Sequence, residues 1–289
     1  MSIRQITIIG TGLIGGSFGL ALKKRRFAGK IIGCDNPGVL ERARKCGAID
    51  GASPVPADAV RGSDVVLLAT PVGAIIDLIG HLGPALPAKT LLTDVGSTKG
   101  EVLSKAQSVF GKAVGKRFLG GHPMAGRENS GVDFADPDLF QGAVWFLTPV
   151  HGQNIYSGLG GEFLQWVDNI GARIGSVDAG EHDQLCAWIS HLPQMIATAL
   201  AATLADEYGE ETPLLEVGGR ALREMTRISA SPYSMWRDIA ITNKKNISQA
   251  LLKLEQRLAH IRENLSTKEL AAEFERAHHL RKIPAGKKK

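Results

Sequence analysis

One stretch of the chain carries the residue types of a proton-transfer site. Residues 119–131 read LGGHPMAGRENSG, with four glycines and one proline in thirteen positions. That composition argues against a regular element, so the strand suggested by Arg117-Phe118-Leu119 is expected to end here. His122 would then be presented at a strand end by a loop with little side-chain bulk, with Pro123 fixing the turn after it. Imidazole is the side chain best matched to proton transfer near neutral pH, with an ordinary pKa of about 6.5. The stretch alone leaves two readings: a proton-transfer residue, or a tight turn whose histidine caps a neighbour.

Two further groupings have chemical potential. Arg220, Arg223 and Arg227 are spaced i, i+3, i+7 and so share one helix face. They make either a solvated basic face or a clamp for carboxylates, which guanidinium groups bind bidentately. Ser190-His191-Leu192-Pro193-Gln194 puts another imidazole on a helix interrupted by Pro193, where a structural role is the default. His182 and Cys186, at i and i+4, offer a metal only two ligands, so no metal site is expected.

A fourth grouping points to a dinucleotide. The β-branched run Gln5–Ile9 feeds Gly10-Thr11-Gly12-Leu13-Ile14-Gly15, a GxGxxG pattern continued by a helix to Leu22. Gly10 permits the tight turn, Gly12 leaves room for a pyrophosphate, and Gly15 lets helix and strand pack closely. The helix start at Leu13 and Ile14 offers free N–H groups and partial positive charge. A second strand, Lys30–Cys34, ends in Asp35, 20 residues after Gly15, where an acid meets ribose hydroxyls. Asn36 and Pro37 already supply the cap and first residue of the next helix. An acid at 35 repels a 2′-phosphate, which favours NAD over NADP.

The elements that must hold these groups alternate. Strands are expected at 64–69, ending in Thr70-Pro71, and at 90–94, followed by Ser97 and a further helix from Lys99. Further strands are expected at 143–147 and 172–177, with a long helix at 152–170 between them. Such alternation means an α/β fold, an N-terminal Rossmann-type doubly wound parallel sheet, with ligands at the carboxyl ends of the strands. Thr70, Pro71, Ser97 and His122 should then share a crevice with the glycines. After Asp178 only helical periodicity is found, at 181–208, 214–226, 234–265 and 268–280. The expected organisation is a dinucleotide-binding domain over 1–177, an all-α substrate and dimerisation domain over 178–280, and a basic tail over 281–289. The apolar helix faces exceed what one copy can bury, so a homodimer through the helical domain is expected.

Composition excludes several classes. Hydrophobic content of 44% and charged content of 22% fit a globular protein of 289 residues. The net charge of +5 owes much to Arg281-Lys282 and Lys287-Lys288-Lys289. No basic patch is interleaved with aromatics, so nucleic acid is not expected as a partner. Cys34, Cys46 and Cys186 lack CxxC spacing and read as free thiols of a reducing compartment. The apolar run 195–205 is short for a bilayer and no targeting segment is seen, so a cytoplasmic protein without a membrane partner is expected.

Taken together, GTGLIGGS at 10–17, GGHPMAGRENSG at 120–131, SHLP at 190–193, and Thr226-Arg227 followed by MWRD at 235–238 resemble the prephenate/arogenate dehydrogenases of tyrosine biosynthesis. The resemblance runs along nearly the whole chain and suggests the minimal form, without a fused mutase or regulatory domain. It implies NAD(P)-dependent oxidative decarboxylation of a cyclohexadienol: prephenate to 4-hydroxyphenylpyruvate, or alternatively arogenate to tyrosine. It also implies roles. His122 polarises or deprotonates the ring hydroxyl, with Ser97 bonding in the same corner. Arg227 anchors a substrate carboxylate with Arg223 nearby, Glu128 gates the pocket, and His191 lies with Gln194 toward the substrate. Many members using prephenate carry His where this chain has Gln194, which leaves the choice between keto-acid and amino-acid substrate open. Two rivals are a β-hydroxyacid-type dehydrogenase, which would use a helix lysine not seen over 181–226, and an NAD-binding sensor that turns over nothing.

Overall fold

Among the described residues, eight strands arise where the apolar, β-branched runs fall: β1 Gln5–Ile9, β2 Lys30–Cys34, β3 Gly51–Ala52, β4 Val65–Leu68, β5 Leu91–Asp94, β6 Phe118–Pro123, β7 Val144–Thr148 and β8 Arg173–Ser176. The computed structural model describes residues 3–127, 129–209 and 213–282. The strands form one sheet in the order β3-β2-β1-β4-β5-β6-β7-β8. Every neighbouring pair is parallel except β6 and β7, which run antiparallel. Two compact units divide the chain, Met1–Lys244 and Lys245–Lys289.

Alternation along the central strands builds a core on each face of the sheet. Ile6, Ile8, Val65 and Leu67 join Phe18, Trp145 and Phe163 on one face, while Ile9, Val66, Leu68 and Leu92 join Ile75, Ile79 and Val102 on the other. Each such buried side chain contributes about 1.5–3 kcal/mol. The helices that cover the sheet are α1 Leu13–Lys24, α2 Pro37–Lys45, α3 Pro56–Ala59, α4 Val72–Leu82, α5 Gly100–Phe110, α6 Val114–Arg117 and α7 Gly158–Asn169. α7 starts six residues later than the apolar pattern predicts. Asn154 instead forms a turn, accepting from the Tyr156 N–H at its side chain and the Ser157 hydroxyl at its carbonyl.

The GGHP segment departs from expectation. It is not a loop: β6 runs through Gly120, Gly121 and His122 to Pro123, with His122 opposite Phe146 of β7. The glycines here serve clearance. A Cβ at Gly120 would lie 2.3 Å from Thr148 Oγ1, and one at Gly121 2.7 Å from the Asp94 carbonyl and 2.8 Å from Trp145 Nε1.

After β8 the first unit is helical: α8 Ala179–Cys186, α9 Leu192–Tyr208, α10 Leu214–Val217, α11 Arg220–Thr226 and α12 Tyr233–Thr242. The Asp178 side chain caps α8 by accepting from the Gly180 and Glu181 N–H groups. A π-helical turn, Ala187–His191, joins α8 to α9, and the Leu192 N–H bonds the Ala187 carbonyl. Pro193 sits in the first turn of α9 and does not interrupt the helix. The resulting helix Ala179–Tyr208 is long and apolar enough to cross a membrane by length and composition, which the run 195–205 does not suggest. Within this unit it is bonded to the start of α5 through Asp183. The 214–226 segment is broken at Gly218-Gly219, and the segment after Ser234 is broken at Asn243. The second unit holds most of α13 Lys244–Glu263 and all of α14 Lys268–Lys282, where Arg257 donates to Glu273 over 2.5 Å.

Candidate active site

The dinucleotide fingerprint folds as its spacing requires. Gly10 has φ +93°, and a Cβ there would meet the Ala69 carbonyl at 2.4 Å. A Cβ on Gly15 would come within 2.0 Å of the Gly10 carbonyl, whereas one on Gly12 would meet nothing within 4 Å among the described residues. Gly12 therefore leaves open space at the N-terminus of α1, beside Leu13 and Ile14. Asp35, at the end of β2, accepts from the Thr11 N–H at 2.8 Å and the Asn36 N–H at 2.8 Å. A cavity of about 360 Å³ at these strand ends is lined by Gly10, Asp35, Pro37, Thr70, Ala74 and His81. Pro71 caps α4 at its rim. Open backbone at a helix start, a carboxylate on the next strand and a cavity between them fit a dinucleotide. A larger hollow, about 660 Å³, lies around Arg4, Phe27, Lys30 and Trp166, at the opposite ends of the strands and away from these groups.

His122 is buried, and its Nδ1 lies 2.9 Å from His182 Nε2. His182 Nδ1 in turn lies 2.9 Å from Asp183 Oδ1. Asp183 is fixed by the α5 start: Lys99 N–H donates to Oδ1 at 2.7 Å and Gly100 N–H to Oδ2 at 2.8 Å. A carboxylate only accepts, so His182 carries its hydrogen on Nδ1. In the neutral ring its Nε2 then accepts from His122 Nδ1–H, which leaves the lone pair of His122 on Nε2. Burial above all, with the Lys99 ammonium nearby, holds His122 well below the ordinary 6.5. It is therefore neutral and ready to accept a proton near pH 7, and it does not titrate near the ordinary value.

A buried ion pair positions the same corner. Lys99 and Asp94 are fully buried and bonded to each other. Lys99 Nζ also donates to the Gly121 carbonyl at 2.7 Å, and Asp94 Oδ1 accepts from the Gly121 N–H at 3.2 Å. The pair thus holds the backbone immediately before His122. Ser97, half-buried, lies in the turn between Asp94 and Lys99. Asp94, Lys99, Asp183 and Asn243 escaped the sequence reading. The adjacency of His182 and Asp183 was the available signal, but which ring the pair orients is a long-range fact.

The helical part places the remaining residues separately. His191 is fully buried, and burial pushes its pKa down to about 4. Asn243 Nδ2 donates to the Asp183 carbonyl at 2.8 Å and lies 3.1 Å from His191 Nδ1, linking the two. The Gln194 amide donates to the Ile228 carbonyl at 2.9 Å and to Thr198 Oγ1 at 3.3 Å, which ties α9 to the 3₁₀ turn Arg227–Ala230. Arg227 begins that turn and is exposed. The three arginines do not form one clamp. Arg220 pairs with Glu224 on the surface, and Arg223 donates to the Leu215 carbonyl at 3.1 Å. Glu128 lies outside the described residues.

A glycine-turn cofactor cavity at the ends of β1, β2 and β4, a shielded imidazole on β6 of the same sheet and a helical segment packed beside it define a dinucleotide-dependent dehydrogenase. Residues 18–157 match the family described as "Prephenate dehydrogenase, nucleotide-binding domain", and residues 178–279 match "Prephenate dehydrogenase, dimerization domain". The chain belongs to the prephenate dehydrogenase family. It is 32% identical to a prephenate dehydrogenase of Lactococcus lactis subsp. cremoris over 88% of this chain and 72% of that one. It is 33% identical to a cyclohexadienyl dehydrogenase of Zymomonas mobilis over 83% of this chain and 81% of that one. The crystal structure of a prephenate dehydrogenase from A. aeolicus, in complex with hydroxyphenyl propionate and NAD+, superimposes with a TM-score of 0.83. That pair is 31% identical, over 98% of this chain and 96% of the other.

Proposed function

We propose that this chain catalyses the NAD-dependent oxidative decarboxylation of prephenate to 4-hydroxyphenylpyruvate, with His122 as the proton acceptor. The observation that carries this reading is the Asp183–His182–His122 chain, which leaves a lone pair on His122 Nε2 at the carboxyl ends of the strands. Gly10, Gly12 and Gly15 shape the cofactor turn, the N–H groups of Leu13 and Ile14 face phosphate, and Asp35 takes the ribose hydroxyls, with Thr70 and Pro71 closing the wall. The bound cofactor supplies the hydride acceptor for the ring carbon that bears the hydroxyl. His122 Nε2 takes the hydroxyl proton as the C–H electron pair leaves, and Ser97 bonds the same oxygen. Carbon dioxide departs from the opposite ring carbon, its bonding electrons aromatise the ring, and the proton returns from His122 to the phenolate. The chain therefore stores one proton and releases none. Aromatisation drives the step, so positioning is the main task left to the protein.

Prephenate carries two carboxylates, which calls for cations. Arg227 is assigned one of them, with Arg223 supporting the adjoining segment and Glu128 gating the pocket. His191 braces the site through Asn243, and Gln194 sets the turn that carries Arg227. An uncharged amide at 194 is the observation that favours arogenate, or both substrates, as the alternative. The boundary between the dinucleotide-binding and helical domains is proposed at 177/178. Leu185, Trp188, Ile189 and Tyr208 stand exposed on the 179–208 helix and support dimerisation there in a cytoplasmic protein. NADP is disfavoured by Asp35.

The direct test mixes the protein with NAD and prephenate, then with NAD and arogenate, and follows reduced cofactor and carbon dioxide. Turnover with prephenate is expected, and absence of reduced cofactor with both substrates would sink the proposal.

A further inference from the structure

The fold completes a set of metal ligands that the sequence shows only in part. His182 and Cys186 are one helical turn apart on α8 and supply two donors. β6 brings His122 to them, so that His122 Nδ1, His182 Nε2 and Cys186 Sγ all lie within 4.8 Å of one another, and all three residues are buried. The separations are 2.9 Å between the two nitrogens, 3.4 Å from sulfur to His182 and 3.9 Å from sulfur to His122. A tetrahedral zinc ion with Zn–N of about 2.0–2.1 Å and Zn–S of about 2.3 Å needs edges of about 3.3 Å between nitrogens and about 3.6 Å between nitrogen and sulfur. Each observed separation is within about half an ångström of that requirement.

We propose that His122, His182 and Cys186 form an inhibitory zinc site, in which the ion switches off His122 by occupying its Nδ1. Second-sphere chemistry is already in place. Asp183 holds His182 by Nδ1, which turns Nε2 toward the ion in a carboxylate–histidine–metal arrangement. The charges also balance: the dication meets the Cys186 thiolate and the Asp183 carboxylate, while Lys99 and Asp94 neutralise each other. Two imidazoles and a thiolate are a donor set suited to zinc. Burial holds the Cys186 thiol up at about 12, so metal binding must displace its proton, and one proton is released per ion bound. His122 keeps its single hydrogen but must move it from Nδ1 to Nε2. That is the atom which accepts the substrate hydroxyl proton, so the metal-bound form has no base to offer.

The binding half of this inference stands alone, and the inhibition half rests on His122 as proton acceptor. Cobalt(II) chloride titrated into metal-free protein without substrate reports ligation directly. A thiolate-to-cobalt charge-transfer band is expected in the wild type and in Cys46→Ser, and it should vanish in Cys186→Ala and Cys186→Ser. Zinc chloride should then inhibit wild-type turnover, reversed by chelator, with the half-inhibitory concentration at least tenfold higher in Cys186→Ala, whose metal-free turnover stays near wild type. Absence of the band in wild type, or zinc inhibition of equal strength in both proteins, overturns the inhibitory site. A Cys186-dependent band with no loss of turnover keeps the site and overturns His122 as the base.

Discussion

His122→Asn isolates the base from the scaffold. The asparagine amide nitrogen falls close to the position of Nδ1, so it can still donate to His182 Nε2, which His122 approaches at 2.9 Å. What disappears is the Nε2 lone pair. Removing a general base typically lowers rate by about 10²–10⁴, which is roughly 2.7–5.5 kcal/mol of transition-state stabilisation. The smaller side chain leaves a gap at a buried position and is expected to reduce stability by only about 1–2 kcal/mol. That corresponds to a Tm lower by roughly 2–8 °C, so the variant remains folded at assay temperature. Stopped-time assays of reduced cofactor give kcat, and a fluorescence titration gives cofactor affinity, which should be unchanged. The pH profile adds a second readout. The active form is the unprotonated imidazole, so activity is lost as pH falls through its pKa. Burial pushes that pKa well below 6.5, and wild-type kcat/KM should therefore be level through pH 6.5 and fall only well below it. The variant should lack that limb. A rate loss smaller than tenfold, or a wild-type midpoint at 6.5 or above, refutes the assignment of His122.

Four other substitutions test the surrounding argument. Arg227→Ala should raise the KM for prephenate more than it lowers kcat. A buried charge pair would cost about 2–5 kcal/mol, but exposure of Arg227 in the single chain reduces the expectation to about tenfold. Arg220→Ala, which removes only a surface pair with Glu224, should leave steady-state constants within twofold or so. Asp35→Ser should weaken NAD binding about tenfold and narrow the preference over NADP, because the ribose acceptor and the Thr11 N–H acceptor are lost together; unchanged affinity in a titration would leave Asp35 a turn residue only. Gly15→Ala puts a methyl within 2.0 Å of the Gly10 carbonyl and should cost about 3 kcal/mol or more, read as a lower Tm and impaired cofactor binding.

The sequence by itself determined what depends on local spacing. The glycine turn, the helix behind it and Asp35 lie within 31 consecutive residues, from Gln5 to Asp35, and their physics is contained in that βαβ unit. The β-branched runs placed the central parallel strands for the same reason, since an unbroken apolar run at strand length is its own signal. His122 was legible as a residue type, but its setting was not. Its glycines read as loop because composition reports freedom, whereas Thr148 and Trp145, more than twenty residues on, made them the only residues that fit a paired strand. Its tautomer is decided by His182 and Asp183, sixty residues away, and its low pKa by burial that no local pattern encodes. The arginine spacing showed a common helix face, yet Arg220 pairs with Glu224, Arg223 bonds the Leu215 carbonyl, and Arg227 begins a 3₁₀ turn beyond the helix. Only the tertiary structure could join β6 to α8, because that contact is formed by packing a strand against a helix, and it brings His122 beside His182 and Cys186 and fixes the orientation of an otherwise isolated imidazole.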